Sequence, residues 1–239
     1  MPPDTGATNP SSRDGSSTWT KLGLRRAPWL TGALVAVTGA GGIAQHILPD
    51  LLGQLERSPA GLQGQWWRIV TALLVQDGGL FGLVSNMIFL GAIGAVAEQV
   101  CTRRRWMVQY FGTGLLAELV GYAWQPIGGG NSIAICGLAS AVAVTAWRDR
   151  VRLAPWGLSA VLVWCGALLA PLWEPLILLG IIAGVAAGRA VQTGRRAGPA
   201  VLVGVLVAGA VLSAAANIHG AAILIGAVLA LLPGKPRRT

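Results

Sequence analysis

Charge is scarce in this 239-residue chain, because Asp, Glu, Lys and Arg together make up only 11% of it. Soluble domains carry about 25% charged residues, so the composition argues against an ordinary soluble domain. The three cysteines and two histidines form no CxxC pair and no His/Cys cluster, which leaves a disulfide framework and a zinc site without support. Walker and dinucleotide-binding fingerprints are also missing, and we expect no cofactor and no metal.

Long apolar runs dominate the chain instead. Hydrophobic residues make up 54% of the sequence, and the mean hydropathy is +0.62. Runs of membrane-spanning length recur from about residue 29 onwards. We therefore predict an all-α, polytopic membrane helix bundle with eight spans. The predicted spans are residues 29–48, 80–100, 106–125, 131–147, 156–171, 175–191, 199–214 and 217–232.

Two long apolar stretches have to be divided to give eight spans. A single helix over residues 156–191 would be about 54 Å long, whereas the apolar core of a bilayer is about 30 Å thick. The segment 171–175 begins and ends with proline, so we place the break there. A helix over residues 199–232 would be about 51 Å long, and we divide it near residues 214–217.

The basic residues support this arrangement of spans. With a cytoplasmic N-terminus, sixteen of the eighteen lysines and arginines fall in inner segments, and only Arg57 and Arg68 fall in outer ones. This bias predicts a multi-pass protein of the cell membrane whose N- and C-termini are both cytoplasmic. It also accounts for the net charge of +9, so we expect the lipid bilayer, and not nucleic acid, as a partner.

Composition divides the chain into three parts. Residues 1–20 are rich in Ser, Pro, Gly and Thr, and they are predicted to be a disordered cytoplasmic tail. Residues 21–234 form the predicted transmembrane domain. Residues 235–239 form a short basic cytoplasmic tail.

A few polar residues are predicted to lie near the outer face. The fourth and eighth spans both run inward and carry Ser132 and His219 near their outer ends, and Asn86 and Asn217 can converge with them. A serine activated by a histidine, with an amide donor for a developing oxyanion, is a minimal set for acyl transfer. The same residues have structural interpretations as well: Ser132 as a helix cap, His219 as a satisfied core histidine, and Asn86 as a helix–helix hydrogen bonder.

Other residues near the spans are interpreted structurally. We expect Glu98 to form an ion pair with the arginines at 103–105, and Glu118 to make a buried hydrogen bond to the first loop. Glycines recur every four residues in the sixth span, at positions 180, 184 and 188, and this face predicts close helix packing. The tryptophans typical of a membrane interface are Trp66, Trp67 and Trp124.

Five short motifs follow one another between about residues 67 and 232. They are Trp67-Arg68 in the first outer loop, Gly78 to Asn86 at the start of the second helix, Gly94 to Glu98, Gly130-Asn131-Ser132-Ile133, and Asn217 to Gly226 with His219. In this order they resemble the motifs of the rhomboid family, which are intramembrane serine proteases. Gly94 to Glu98 is similar to its GxxxE motif, and Gly130 to Ile133 lies at its GxSG motif.

The resemblance implies Ser132 as the nucleophile, His219 as the general base, and Asn86 with the backbone N–H of Ser132 as oxyanion donors. It implies a six-helix core, to which two extra helices near residues 156–191 are added. Substrates would be transmembrane segments of membrane proteins, cleaved near the outer face. The residues implied in structural or motif roles are Trp67, Arg68, Glu98, Gly130 and Asn217.

Several features depart from the family pattern. Gly82 stands where the family usually has an oxyanion histidine, and losing one such donor typically costs about 10²–10³ in rate. Gln76 replaces a second histidine, and Asp77 looks inserted after it. Ile133 replaces the glycine after the serine, and the interval from Ser132 to His219 is 87 residues.

Two alternatives to a protease therefore stay open. The first is a catalytically weak or inactive rhomboid-like protein that binds transmembrane segments. The second is a small transporter, which the scarcity of charge inside the spans disfavours.

Overall fold

A computed structural model of the chain describes residues 18–48, 50–148 and 153–233, which form a bundle of helices. The helices are α1 (Thr18–Lys21), α2 (Trp29–Ile47), α3 (Leu51–Leu55), α4 (Arg68–Thr71), α5 (Gly79–Val100), α6 (Arg103–Met107), α7 (Thr113–Trp124), α8 (Ser132–Arg148), α9 (Pro155–Leu169), α10 (Leu176–Gln192), α11 (Gly198–Ala214) and α12 (Ile218–Leu231). A π-helical turn, Val108–Gly112, joins α6 to α7, and two 3₁₀ turns, Pro59–Gln63 and Ala72–Leu74, lie between α3 and α5. The predicted all-α bundle is confirmed.

Each predicted span corresponds to a helix or to a continuous pair of helices. Helices α2 and α5 are each long and apolar enough to cross a membrane. Helices α6 and α7 together cover the third span, and α8 to α12 cover the remaining five with 14–17 residues each. Both predicted breaks are present, because α9 ends at Leu169 before α10 begins at Leu176, and α11 ends at Ala214 before α12 begins at Ile218.

The predicted tails lie almost wholly outside the described residues. Residues 1–17 and 234–239 are not covered, so the disordered N-terminal tail and the basic C-terminal tail stay predictions. Only the last three residues of the predicted N-terminal tail are described, and they form the start of α1.

Helix α8 is the centre of the bundle. Every residue from Ile133 to Thr145 is buried. Helices α5, α11 and α12 all pack against it. The interior of α8 carries no charged residue and is rich in small side chains, so other helices can surround it without burying an unpaired charge.

Glycines bring two pairs of helices into close contact. A Cβ atom on Gly226 of α12 would lie 2.7 Å from the Cα of Gly137 on α8. A Cβ atom on Gly180 of α10 would lie 2.8 Å from the Cα of Gly166 on α9, which confirms the predicted small-residue face of the sixth span. The three cysteines of the chain are free and buried, as expected for packing residues.

Three helices lie between α8 and α12 in the sequence. Helix α9 packs against α5, α10 and α11, while α11 packs against both α8 and α12. Helix α10 packs mainly along α9 on the outside of the bundle. The hairpin of α9 and α10 therefore adds a layer to the bundle, and α12 still returns to the side of α8.

The predicted ion pair of Glu98 with the arginines at 103–105 is wrong. The Glu98 carboxylate accepts hydrogen bonds from the backbone N–H groups of Leu30 (3.2 Å) and Thr31 (3.0 Å), and from the Thr31 hydroxyl (3.0 Å). The residue that precedes α2, Pro28, gives no side-chain cap. The carboxylate of Glu98 therefore satisfies the first turn of α2, where a negative charge is favoured by the helix dipole.

Candidate active site

Ser132 is the first residue of α8, and its hydroxyl bonds to a side chain of another helix. The Nε2 atom of His219, in the first turn of α12, lies 2.8 Å from the Oγ atom of Ser132. Both residues are half-buried. The structure thus brings the serine and the histidine together across 87 residues of sequence, at the end of the bundle where α8 and α12 begin. We call this the serine end.

Asn217 orients the histidine ring. Its Oδ1 atom accepts a hydrogen bond from the backbone N–H of His219 (3.0 Å) and lies 2.8 Å from the ring Nδ1. An amide oxygen can only accept, so the ring donates from Nδ1 and its Nε2 is left to accept from the Ser132 hydroxyl. This is the tautomer that a general base needs. An amide oxygen, and not a carboxylate, therefore occupies the orienting position.

The glycine segment Gly128–Gly130, just before Ser132, is held by backbone hydrogen bonds. Its first residue exchanges two bonds with Arg57, of 2.8 and 3.1 Å, and its third donates to the carbonyl of Ala72 at 2.8 Å. Its second residue accepts from the N–H of Asp77 at 2.9 Å and donates to the Asp77 carboxylate at 3.1 Å. The first glycine has φ +153°, which side-chain-bearing residues rarely adopt. The chain leading to the serine is therefore fixed on both sides.

A buried ion pair supports this segment. The Arg57 guanidinium pairs with the carboxylate of Glu118 on α7, and both side chains are at most 4% exposed. The Arg57 Nε atom also donates to the carbonyl of Gln125 at 2.9 Å. Gly121 leaves room for the guanidinium, because a Cβ atom there would lie 2.6 Å from its central carbon. The predicted bond from Glu118 to the first loop is confirmed, and Arg57, which the sequence placed only in an outer loop, provides it.

Arg68 ties together the loop between α2 and α5. Its Nη1 atom donates to the carbonyls of Gly53 (2.8 Å) and Glu56 (2.9 Å), and its Nε donates to Gln65. Burial, together with the nearby Asp77 carboxylate, raises the pKa of Glu56 above its ordinary value.

Trp67, which precedes Arg68, is 42% exposed, and its role as an interfacial anchor stays a prediction. The same holds for Trp66 and Trp124, which are also exposed.

A chain of amide side chains connects α5 to the start of α8. Asn86 donates from Nδ2 to the Oε1 of Gln76, and Gln76 donates from Nε2 to the Oδ1 of Asn131 at 3.0 Å. A Cβ atom on Gly130 would lie 3.5 Å from the Ser132 hydroxyl and 3.8 Å from the Asn86 amide nitrogen. Asn86 and Ser132 therefore face the same small volume, and glycine at position 130 keeps it open.

The structure also shows the consequences of the two departures nearest the serine. Gly82 has no side chain and therefore supplies no side-chain donor to the site, and a Cβ atom built there would meet nothing within 4 Å. Ile133 is only 3% exposed and belongs to the apolar core. Its side chain belongs to this core and also forms part of the wall of the cavity beside the serine.

A cavity of about 110 Å³ opens beside the serine and the histidine. Polar residues dominate its wall, and Ile127, Ile133 and Ile218 supply the apolar part. Its polar wall includes Arg57, Asp77, Glu118 and Gln125. Among the residues that the structure describes, no group of three or more His, Cys, Asp or Glu side chains could hold a metal ion. The groups that line the site are therefore a hydroxyl, an imidazole, an amide and the charged side chains of Arg57, Asp77 and Glu118.

The comparisons with known proteins agree with one another. The family model described as the Rhomboid domain matches residues 63–235, which is well over half of the chain and includes Asn86, Ser132 and His219. The chain is also similar to the rhomboid protease GluP of Bacillus subtilis (strain 168), with 27% identity over 89 residues. That stretch covers 37% of this chain and 17% of the relative.

Proposed function

Since this chain belongs to the rhomboid family, a family of intramembrane serine proteases, we propose that it is an endopeptidase that cleaves transmembrane segments of other membrane proteins. The observation that carries the proposal is the 2.8 Å contact between Ser132 Oγ and His219 Nε2, with Asn217 bonded to the other ring nitrogen. A nucleophile, a base and an orienting group in hydrogen-bond contact are the signature of covalent acyl transfer.

The reaction follows from these contacts. Ser132 Oγ attacks the carbonyl carbon of the scissile peptide bond while its proton passes to His219 Nε2. The Asn217 oxygen accepts from Nδ1–H and stabilises the imidazolium that forms. The backbone N–H of Ser132 and the amide of Asn86 donate to the oxyanion. His219 then gives its proton to the leaving amine, and water hydrolyses the acyl-enzyme by the same steps in reverse order.

The rate is expected to be low. Gly82 contributes no side-chain donor, and the loss of one oxyanion donor typically costs about 10²–10³ in rate. The Ser132–His219 pair and the Asn86 amide still supply nucleophile, base and one side-chain donor.

The membrane environment indicates which substrates the protein would cleave and where they would approach. A regular helix hides its carbonyls in hydrogen bonds, so transmembrane segments with helix-breaking residues should be cut preferentially. Leu80 and Phe81 at the start of α5 are 64% and 86% exposed and give an approaching helix an apolar surface near the serine end. With the basic residues inside, the protein would lie in the cell membrane with both termini cytoplasmic and the site near the outer face.

Labelling with a fluorophosphonate probe tests the proposal. The purified protein should be labelled, whereas Ser132→Ala and His219→Ala should not be. Ser140→Ala is the matched control, because Ser140 lies in the same helix but is buried and donates to the carbonyl of Ile223 at 2.9 Å. Equal labelling of all the variants, or no labelling of a folded wild-type protein, would refute the protease.

A non-catalytic binder of transmembrane segments is the second candidate, favoured by the missing donor at Gly82. It predicts that a folded, unlabelled protein still crosslinks to a photoreactive transmembrane peptide. Crosslinking that is insensitive to Ser132→Ala and His219→Ala, together with absent labelling, would decide for the binder.

A further inference from the structure

We propose that Gln76 is a positioning residue of the oxyanion site, which holds Asn86 and the start of α8 in register. This inference rests on the proposed protease function. Gln76 occupies the place of a family histidine, and from the sequence alone it counted as a departure. In the folded chain it lies between the two sources of oxyanion donors.

The carboxamide of Gln76 uses both of its ends. Its Oε1 accepts from Asn86, and its Nε2 donates to Asn131 at 3.0 Å. Asn86 carries the proposed side-chain donor, and Asn131 immediately precedes Ser132, whose backbone N–H is the other proposed donor. One planar group therefore links the side chain that carries one donor to the residue next to the other donor.

The backbone of Gln76 is itself immobilised. The side chain of Gln45 on α2 donates to the carbonyl of Gln76 at 2.7 Å and accepts from its N–H at 2.7 Å. Gln76 is only 1% exposed, so water does not compete for its amide. The carboxamide is therefore presented from a fixed point and in a fixed orientation.

This arrangement bears on catalysis because Asn86 has little else to orient it. An asparagine amide turns easily about its last side-chain bond, which has broad energy wells. The hydrogen bond to Gln76 fixes that rotation and leaves the second N–H of the Asn86 amide for the oxyanion. Because Gly82 supplies no donor, the alignment of Asn86 matters more here than where a histidine shares the role.

The experiment measures fluorophosphonate labelling of Ser132 at saturating and subsaturating probe. Gln76→Met keeps the bulk of the side chain and removes both hydrogen bonds. We expect the maximal labelling rate to fall about tenfold to a hundredfold, because Asn86 is no longer aligned, at an unchanged half-saturating probe concentration. In an Asn86→Ala background, Gln76→Met should lower the rate by a clearly smaller factor, because Gln76 then positions only the start of α8.

Gln99→Leu is the matched control. Gln99 is a glutamine of α5 whose amide bonds to backbone groups, and it lies near the opposite end of the helix from Asn86. The labelling rate of the Gln99→Leu variant should stay at the wild-type value. A second variant, Gln76→Glu, keeps an oxygen that accepts from Asn86, so its maximal labelling rate should fall less than that of Gln76→Met. The same variant tests the proposal if Gln76→Met does not fold.

The outcomes separate the two proposals. An unchanged maximal rate in both Gln76 variants, or the same fold-loss with and without Asn86, would overturn the positioning role while leaving Ser132-dependent labelling intact. A wild-type protein without Ser132-dependent labelling would overturn the protease and this role together.

Discussion

Two helix pairs in this protein, α8 with α12 and α9 with α10, are built on the same kind of contact. Each pair is drawn together where glycines face each other, Gly137 with Gly226 and Gly166 with Gly180. The pairs differ at their ends. The first pair begins with Ser132 and His219 in hydrogen-bond contact, whereas the second is joined by a turn whose residues 171–175 are exposed.

The difference shows that close glycine packing and site geometry are separate properties. In lipid, small residues let helices approach closely for packing alone, and α9 with α10 use the contact in this way. In α8 with α12 we expect the same contact to set the distance between the serine and the histidine. Buried polar groups, such as the Arg57–Glu118 pair and the amides around Gln76, then hold the serine end in one arrangement.

Replacing Arg57 with methionine should have the largest effect, and it tests the buried ion pair that supports the first pair at the serine end. The variant leaves the Glu118 carboxylate buried and unpaired, so we expect a loss of about 3–5 kcal/mol in the free energy of unfolding. Denaturant titration of the purified protein measures it. The double variant Arg57→Met/Glu118→Leu should recover most of the loss, and equal destabilisation of the single and double variants would contradict this account.

Gly226→Val should come next and breaks the geometry of the first pair directly. A Cβ atom would lie 2.7 Å from the Cα of Gly137, so α8 and α12 must separate. A displacement of about 1 Å can cost about 10² in rate, and we expect at least that loss in Ser132 labelling. Labelling of the folded fraction at the wild-type rate would show that the glycine contact does not set the serine–histidine distance.

Gly180→Val is the same change in the second pair and sharpens the comparison. Its Cβ atom would lie 2.8 Å from the Cα of Gly166, so overpacking should destabilise the protein by about 1–3 kcal/mol. The labelling rate of the folded fraction should stay unchanged, because α10 lies outside the Ser132–His219 contact. A loss of labelling comparable to that of Gly226→Val would mean that α9 and α10 are coupled to the site.

Asn217→Ala should have the smallest effect on stability. The substitution removes the cap of α12 and should cost about 1 kcal/mol. It should also lower the labelling rate, because the His219 ring loses the acceptor at Nδ1. Asn217→Asp keeps that acceptor and should label faster than Asn217→Ala; equal rates for the two variants would exclude an orienting role for the side chain.

Sequence alone was enough to predict the spans and their order, and to nominate two distant residues as a candidate pair. The length of apolar runs and the proline-bounded break at 171–175 predicted each long helix that the structure describes, because helix formation in lipid depends on local composition. Ser132 and His219 could be placed at the same depth because both open helices that run in the same direction. Residue type and predicted depth in the membrane were enough to name Ser132 and His219 as candidate catalytic residues.

Only the tertiary structure decided which polar groups bond to one another. Glu98 caps α2 and does not pair with the arginines at 103–105, and Arg57 and not another loop residue reaches Glu118. Asn217 orients the histidine, and Gln76 joins Asn86 to Asn131. A buried polar group bonds to whichever partner the packing of other helices brings within about 3 Å, and no local sequence pattern encodes that distance.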